Sequence, residues 1–141
     1  MMYKMKKVFL FLGIAALLAS CSVDDDTIDF RFEAMPVAEV EFPDSLVIGD
    51  RYQIPVKYVS PSTCHYFEGY DYTRQDSTRF VYVVNRVLER NDCETTTDTV
   101  ETNLNLEVLY NYTYVFKFFK GYDENDEPEY LTVEVPVKSD N

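Results

Sequence analysis

Apolar and polar residues alternate with a period of two along much of the chain. Ile54, Val56 and Tyr58 are interleaved with Gln53, Pro55 and Lys57, and Leu131, Val133, Val135 and Val137 with Thr132, Glu134, Pro136 and Lys138. Successive side chains of a strand point to opposite faces, so each segment predicts a strand with one buried face. Val37 to Phe42, Tyr66 to Thr73, Phe80 to Leu88, Leu104 to Leu109 and Tyr112 to Phe119 are rich in Val, Tyr and Phe, which pack well on a pleated surface, and predict further strands. Between them PDS (Pro43 to Ser45), SPST (Ser60 to Thr63), ERNDCETTTDT (Glu89 to Thr99) and GYDENDEP (Gly121 to Pro128) read as turns and loops. No long stretch carries the helical period.

About seven short strands in roughly 100 residues predict an all-β domain, an antiparallel immunoglobulin-like sandwich of two sheets. A small barrel of the OB or lipocalin kind is the alternative. The chain has no tryptophan, so the Cys-Trp-Cys hallmark of immunoglobulin domains is absent and the architecture alone is expected. The segment from Ile54 to Cys93, IPVKYVSPSTCHYF through NDC, resembles, together with the C-terminal hairpin, the C-terminal β-sandwich of NigD-like lipoproteins. No functional residue is carried over from that resemblance.

The N-terminus follows a different pattern. Lys4, Lys6 and Lys7 precede an uncharged run from Val8 to Leu18, VFLFLGIAALL, which has the length of a signal-peptide core and is short for a membrane span. Leu18-Ala19-Ser20-Cys21 resembles the lipobox of bacterial lipoproteins. That resemblance implies cleavage before Cys21 and acylation of its thiol, palmitate being one such chain. Each buried CH₂ contributes about 0.8 kcal/mol and one chain alone is marginal, so several chains on one residue give a stable anchor. Ser22 to Asp26, SVDDD, resembles the acidic export signal of surface-exposed lipoproteins of the Bacteroidota. It implies that Ser22, Asp24, Asp25 and Asp26 direct the protein to the outer face of the outer membrane; a plain solvated tether is the simpler reading. The expected organisation is a signal peptide over residues 1–20, a lipidated acidic tether over 21–32 and a single sandwich domain over 33–141.

Charge narrows the partners. The chain has 13 Lys+Arg and 25 Asp+Glu; removing the three leader lysines leaves 10 against 25, a net charge of −15. Such a field repels nucleic-acid phosphates, and no basic cluster follows the leader, so nucleic acid is excluded as a partner class. Apart from Cys21 the chain holds only Cys64 and Cys93, an even pair in a compartment where disulfides persist, and they are expected to pair. With the single histidine, His65, they lack the paired spacing of zinc ligands, so neither a metal nor a cofactor is expected.

No nucleophile elbow, metalloprotease helix, P-loop or dinucleotide fingerprint is present. The one imidazole follows a cysteine assigned to the disulfide, and the expectation is a non-catalytic protein. A two-carboxylate glycosidase remains the enzymatic alternative, against which stands the shallow surface of so small a sandwich. A barrel-type carrier of an apolar ligand is a third reading. The better binding candidates lie in HYFEGYDY, where Tyr66, Tyr70 and Tyr72 share one strand face, with Phe67 opposite unless Gly69 makes a bulge. Beside Glu68 and Asp71 such rings can stack on sugars while carboxylates accept hydroxyl hydrogens; the plainer reading is a core edge with its hydroxyls in water. Tyr112, Tyr114, Phe116 and Phe118 mark a buried face. Asp123, Asn125 and Glu127 alternate as calcium ligands do, but Pro128 stands where a calcium loop needs glycine, so a solvated hairpin tip is expected.

Four tripeptides, Asp26-Thr27-Ile28, Asp44-Ser45-Leu46, Asp76-Ser77-Thr78 and Asp98-Thr99-Val100, resemble the O-glycosylation site of exported Bacteroidota proteins. The resemblance implies glycans on Thr27, Ser45, Ser77 and Thr99, the first in the tether and the others in loops. The expected protein is a cell-surface lipoprotein of the outer membrane. It acts as a binding or accessory module toward an outer-membrane protein partner or a glycan, held to the membrane by its lipid anchor.

Overall fold

The alternating segments pair into ladders in the computed structural model, which describes residues 27–139. The strands are β1 (Phe30–Met35), β2 (Val37–Val40), β3 (Leu46–Val47), β4 (Arg51–Ser62), β5 (His65–Gln75), β6 (Thr78–Leu88), β7 (Thr95–Glu107), β8 (Tyr114–Tyr122), β9 (Pro128–Val135) and β10 (Val137–Lys138). One sheet holds β1, β5, β6, β8 and β9, a second holds β2, β4 and β7, and β3 pairs with β10. The described residues are therefore all-β and form an open sandwich, not the barrel alternative. β5 and β7 each pair with one neighbour and end their sheets.

β6 is the spine of the larger sheet. Along one side it pairs with β5 throughout, from His65 opposite Val87 to Gln75 opposite Thr78. Along the other its first half runs parallel to β8 and its second half antiparallel to β1. The parallel pairing departs from the antiparallel expectation. Between β6 and β8 the chain runs back through the other sheet as β7, so β8 starts at the same end as β6, where the Val115 N–H meets the Ser77 carbonyl at 3.0 Å.

Two prolines mark where the chain changes sheets. Met35 pairs with Val83 in the larger sheet and Val37 with Tyr58 in the smaller one, with Pro36 between them. Val135 pairs with Tyr114 and Val137 with Leu46, with Pro136 between them. Proline has no N–H for a ladder, and at Pro36 and Pro136 the chain changes partner strand, whereas Pro55 stays within β4 opposite Asn103. The segment from Leu131 to Val137, expected as one strand, is accordingly two. The ten strands exceed the expected seven by this division and by β1 and β3. β1 begins at Phe30, inside the span assigned to the tether, because the second half of β6 offers it an unpaired edge. Likewise β7 starts at Thr95, within the expected loop, because the far half of β4 pairs its β-branched threonines, with Thr99 opposite Val59.

The core lies between the sheets. Ile54, Val56 and Tyr58 of β4, Val81 and Val83 of β6, Leu104 and Leu106 of β7, and Tyr114, Phe116 and Phe118 of β8 are buried together. The rings of Phe116 and Phe118 stack, and the Phe42 ring packs tilted against both. Inside this layer the Tyr58 hydroxyl donates to Asn85 Oδ1 at 3.0 Å, joining the smaller sheet to β6. Burial pushes the Tyr58 hydroxyl pKa up, against the pull of that bond.

Tyr58→Phe therefore strands the Asn85 carbonyl oxygen, whose amide nitrogen already lacks a partner among the described residues. The expected loss is about 1–3 kcal/mol. Pairing it with Asn85→Leu should cost clearly less than the sum of the two single changes. Urea denaturation of all four members of the cycle measures this; additive losses would show that the bond contributes nothing.

Candidate functional site

Cys64 and Cys93 form the expected disulfide, with Cα atoms 5.5 Å apart and a sequence separation of 29. It joins the β4–β5 turn to the β6–β7 connection. Thr63 N–H donates to the Glu94 carbonyl at 2.9 Å, and Leu88 N–H to the Cys64 carbonyl at 3.0 Å. Closing a loop of this length stabilises the fold by about 3–4 kcal/mol on a chain-entropy account. With their sulfurs bonded to each other, these cysteines have no thiolate to offer the nearby Asp92 carboxylate as a metal site.

Next to the disulfide the turn brings together three residues that the sequence did not connect. Ser62 Oγ lies 2.7 Å from His65 Nδ1, and His65 Nε2 lies 3.7 Å from a Glu33 oxygen on β1. Ser62 Oγ also accepts the Cys64 N–H at 3.1 Å. Hydroxyl, imidazole and carboxylate stand in line, as a nucleophilic relay would need. The turn's own donors are committed, Thr63 N–H to Glu94 and Cys64 N–H to Ser62, so neither is free to stabilise an oxyanion.

The tyrosine face of β5 is not arranged as expected. The ladder slips between Phe67 and Gly69, leaving Glu68 as the extra residue of a bulge. Tyr70 and Tyr72 lie opposite Val83 and Val81 on the inward side, whereas Tyr66 lies opposite Arg86 on the outer side. Phe67 joins the inward set, its ring 5.3 Å from that of Tyr70. Glu68 turns outward and pairs with Arg86 at 3.9 Å. Tyr70 bonds Thr102 of β7 through its hydroxyl, closing the gap between the two end strands. Tyr66 and Tyr72 stay exposed, at 45% and 41%. Between β5 and β7 runs a groove lined by Tyr70, Tyr72, Asn103, Asn105 and Glu107.

At the β5–β6 hairpin the structure holds a cluster that sequence reasoning missed. Arg79 points inward on β6 and is 3% exposed. Its guanidinium donates to the Asp76 and Thr78 carbonyls at 2.9 and 3.2 Å and to the Tyr112 hydroxyl at 2.6 Å. It lies 4.8 Å from the ring centre of Tyr114, 5.7 Å from Tyr112 and 5.8 Å from Tyr110. Arg74 also lies over Tyr110 at 5.2 Å and donates to its hydroxyl, and the Tyr110 ring stacks on Tyr112 at 5.0 Å. Burial works against the Arg79 charge, but the Tyr112 bond and the surrounding tyrosines carry its pKa above the ordinary value. The one available signal was register: Arg79 is in phase with Val81, Val83 and Val87.

The remaining candidates have ordinary settings. Asp123 Oδ1 accepts the N–H groups of Asn125 and Glu127 at 2.8 and 3.0 Å, so its carboxylate serves the hairpin tip itself. Thr27 is exposed, Ser45 and Ser77 are half-buried in turns, and Thr99 is exposed on β7 instead of in a loop. On the outer face of the larger sheet Tyr82 stacks on Phe119 at 5.1 Å and shares a 2.6 Å hydroxyl contact with Tyr130. Cys21, Ser22, Asp24, Asp25 and Asp26 lie outside the described residues.

Residues 5–22 match the family model described as a prokaryotic membrane lipoprotein lipid attachment site. The match supports a bacterial lipoprotein anchored to a membrane. No curated protein and no solved structure matches the chain. Among the described residues no helix is long and apolar enough to cross a membrane.

Burial, then the Tyr130 contact, pushes the Tyr82 pKa from 10.0 to about 12. The folded state thus keeps a proton that an unfolded tyrosine releases, so the stabilisation is complete below pH 10 and is lost as pH rises toward about 12. Tyr82→Phe should flatten the fall in stability across that window. Thermal melts as a function of pH check this; an unchanged slope would assign the alkaline loss elsewhere.

Proposed function

We propose that the protein is a non-catalytic binding or accessory module displayed on the outer cell surface, with glycan as the ligand class its exposed tyrosines suit best. The observation that carries this reading is the lipid attachment site joined to a disulfide-pinned sandwich, which makes a fixed display platform held at a membrane. The acidic tract after Cys21, with its resemblance to Bacteroidota export signals, supports the outer membrane and its outer face. Tyr72, beside a groove that also holds the amides of Asn103 and Asn105, offers the ring face and hydrogen-bonding groups that sugars use. The committed donors around Ser62 weigh against reading the Ser62–His65–Glu33 line as a hydrolase.

Location is tested by replacing Asp24, Asp25 and Asp26 with alanine. The variant should stay lipidated and membrane-bound yet become resistant to protease added to whole cells. Unchanged cleavage would reduce the tract to a spacer.

Glycosylation on Thr27, Ser45, Ser77 and Thr99 is part of the same reading, since a surface domain gains solubility from sugars at exposed hydroxyls. Intact-mass measurement of protein from its own cells should show glycan mass above lipid and polypeptide, with Thr27 and Thr99 occupied before the half-buried serines. Lipid and polypeptide mass alone would end the proposal.

A further inference from the structure

Among the described residues four of the six arginines pair with carboxylates: Arg31 with Glu33 and Glu89, Arg51 with Glu107, Arg86 with Glu68, and Arg90 with Asp92. The other two, Arg74 and Arg79, have no carboxylate within ion-pair distance among those residues and lie against the same ring, that of Tyr110. In a chain of net charge −12 this concentrates uncompensated positive charge at one place. A cation taken out of water is normally paired with an acid. Here tyrosine faces and hydroxyls take that role and leave Arg74, which is exposed, with donors facing solvent.

We infer that the hairpin end formed by Tyr72, Arg74 and Tyr110 over buried Arg79 binds an acidic saccharide, one carrying a carboxylate or a sulfate on its sugar ring. The inference rests on the glycan-binding reading above and names the ligand's charge. The exposed ring of Tyr72 supplies stacking surface, and Arg74, held against the Tyr110 ring, supplies a fork that matches a planar or tetrahedral anion. The groove beside Tyr72 continues the site with the Asn103 and Asn105 amides, which suit hydroxyls. Glu107, the acid on that groove, is engaged with Arg51 at 3.7 Å. Burial lifts the Tyr72 hydroxyl pKa, against the pull of Arg79, so the phenol stays neutral and does not repel an anion. The acidity of the rest of the domain acts at longer range, and at physiological salt it is screened beyond about 8 Å, so contact charge decides binding.

The test uses the full lipidated chain in detergent, titrated calorimetrically with three probes: oligogalacturonate for carboxylate, a chondroitin sulfate oligosaccharide for sulfate, and a malto-oligosaccharide as the neutral control. One or both acidic probes should bind, more weakly as salt is raised, and the neutral probe should not. Arg74→Gln should weaken binding by about tenfold or more, the scale of one charge-assisted contact, while Arg74→Lys recovers part of it. Arg74 is exposed, so its replacement leaves the core intact; Tyr110→Phe gives a second reading without touching a charge. Binding of the neutral probe, indifferent to Arg74→Gln, overturns the acidic assignment and leaves the glycan module standing. Binding of none of the three overturns both.

Discussion

The domain is organised by the inward register of β6. Arg79, Val81, Val83, Asn85 and Val87 all face the smaller sheet and all are buried. The three valines build core. The two polar residues need partners where water cannot reach, and each finds one in tyrosine, although the Asn85 amide nitrogen has none among the described residues. Asn85 takes the hydroxyl of Tyr58 from the opposite sheet, which fixes how the sheets lie over one another. Arg79 takes the faces and hydroxyls of the tyrosines ahead of and within β8, which builds one end of the molecule. A strand of uniform valine would pack as well and specify less. Buried polar partners allow one register and penalise the alternatives by leaving donors unpaired.

This register also separates two ends of the domain. Leu88 closes β6 beside Phe30 and the disulfide. Arg79 and the hairpin turn lie about 30 Å away, at roughly 3.3 Å per strand residue. The disulfide, which ties the β4–β5 turn to the loop that leaves β6, and the arginine–tyrosine cluster thus stand at opposite ends of the spine.

Much of the sandwich was legible in the sequence because a period of two is a direct record of one buried face. Ile54, Val56 and Tyr58, and again Tyr114, Phe116 and Phe118, are buried as that alternation requires. The cysteine pair was legible because an exported chain leaves few other fates for two thiols. Sheet membership was not. Pro136 falls inside an alternating run and Pro36 just before one, and only the ladders reveal that each is a crossing from one sheet to the other. Nor was the bulge at Glu68, which costs one residue of register and moves Tyr66 away from Tyr70 and Tyr72. The arginine–tyrosine cluster draws on β5, β6 and the segment before β8, and period-two reading assigns faces without saying which faces meet. The hint lay in Arg79 standing in phase with valines, a charged residue in a buried register that requires partners.

We place the ligand contact of this lipoprotein at the hairpin end of the domain, where β6 and β8 begin, and not at the end where β8 finishes. Site-specific photo-crosslinking on intact cells separates the two, with p-benzoylphenylalanine placed at Tyr110 in one strain and at the exposed Tyr122, the last residue of β8, in another. Crosslinked adducts at position 110 and none at position 122 are expected. Adducts at position 122 alone would overturn the assignment.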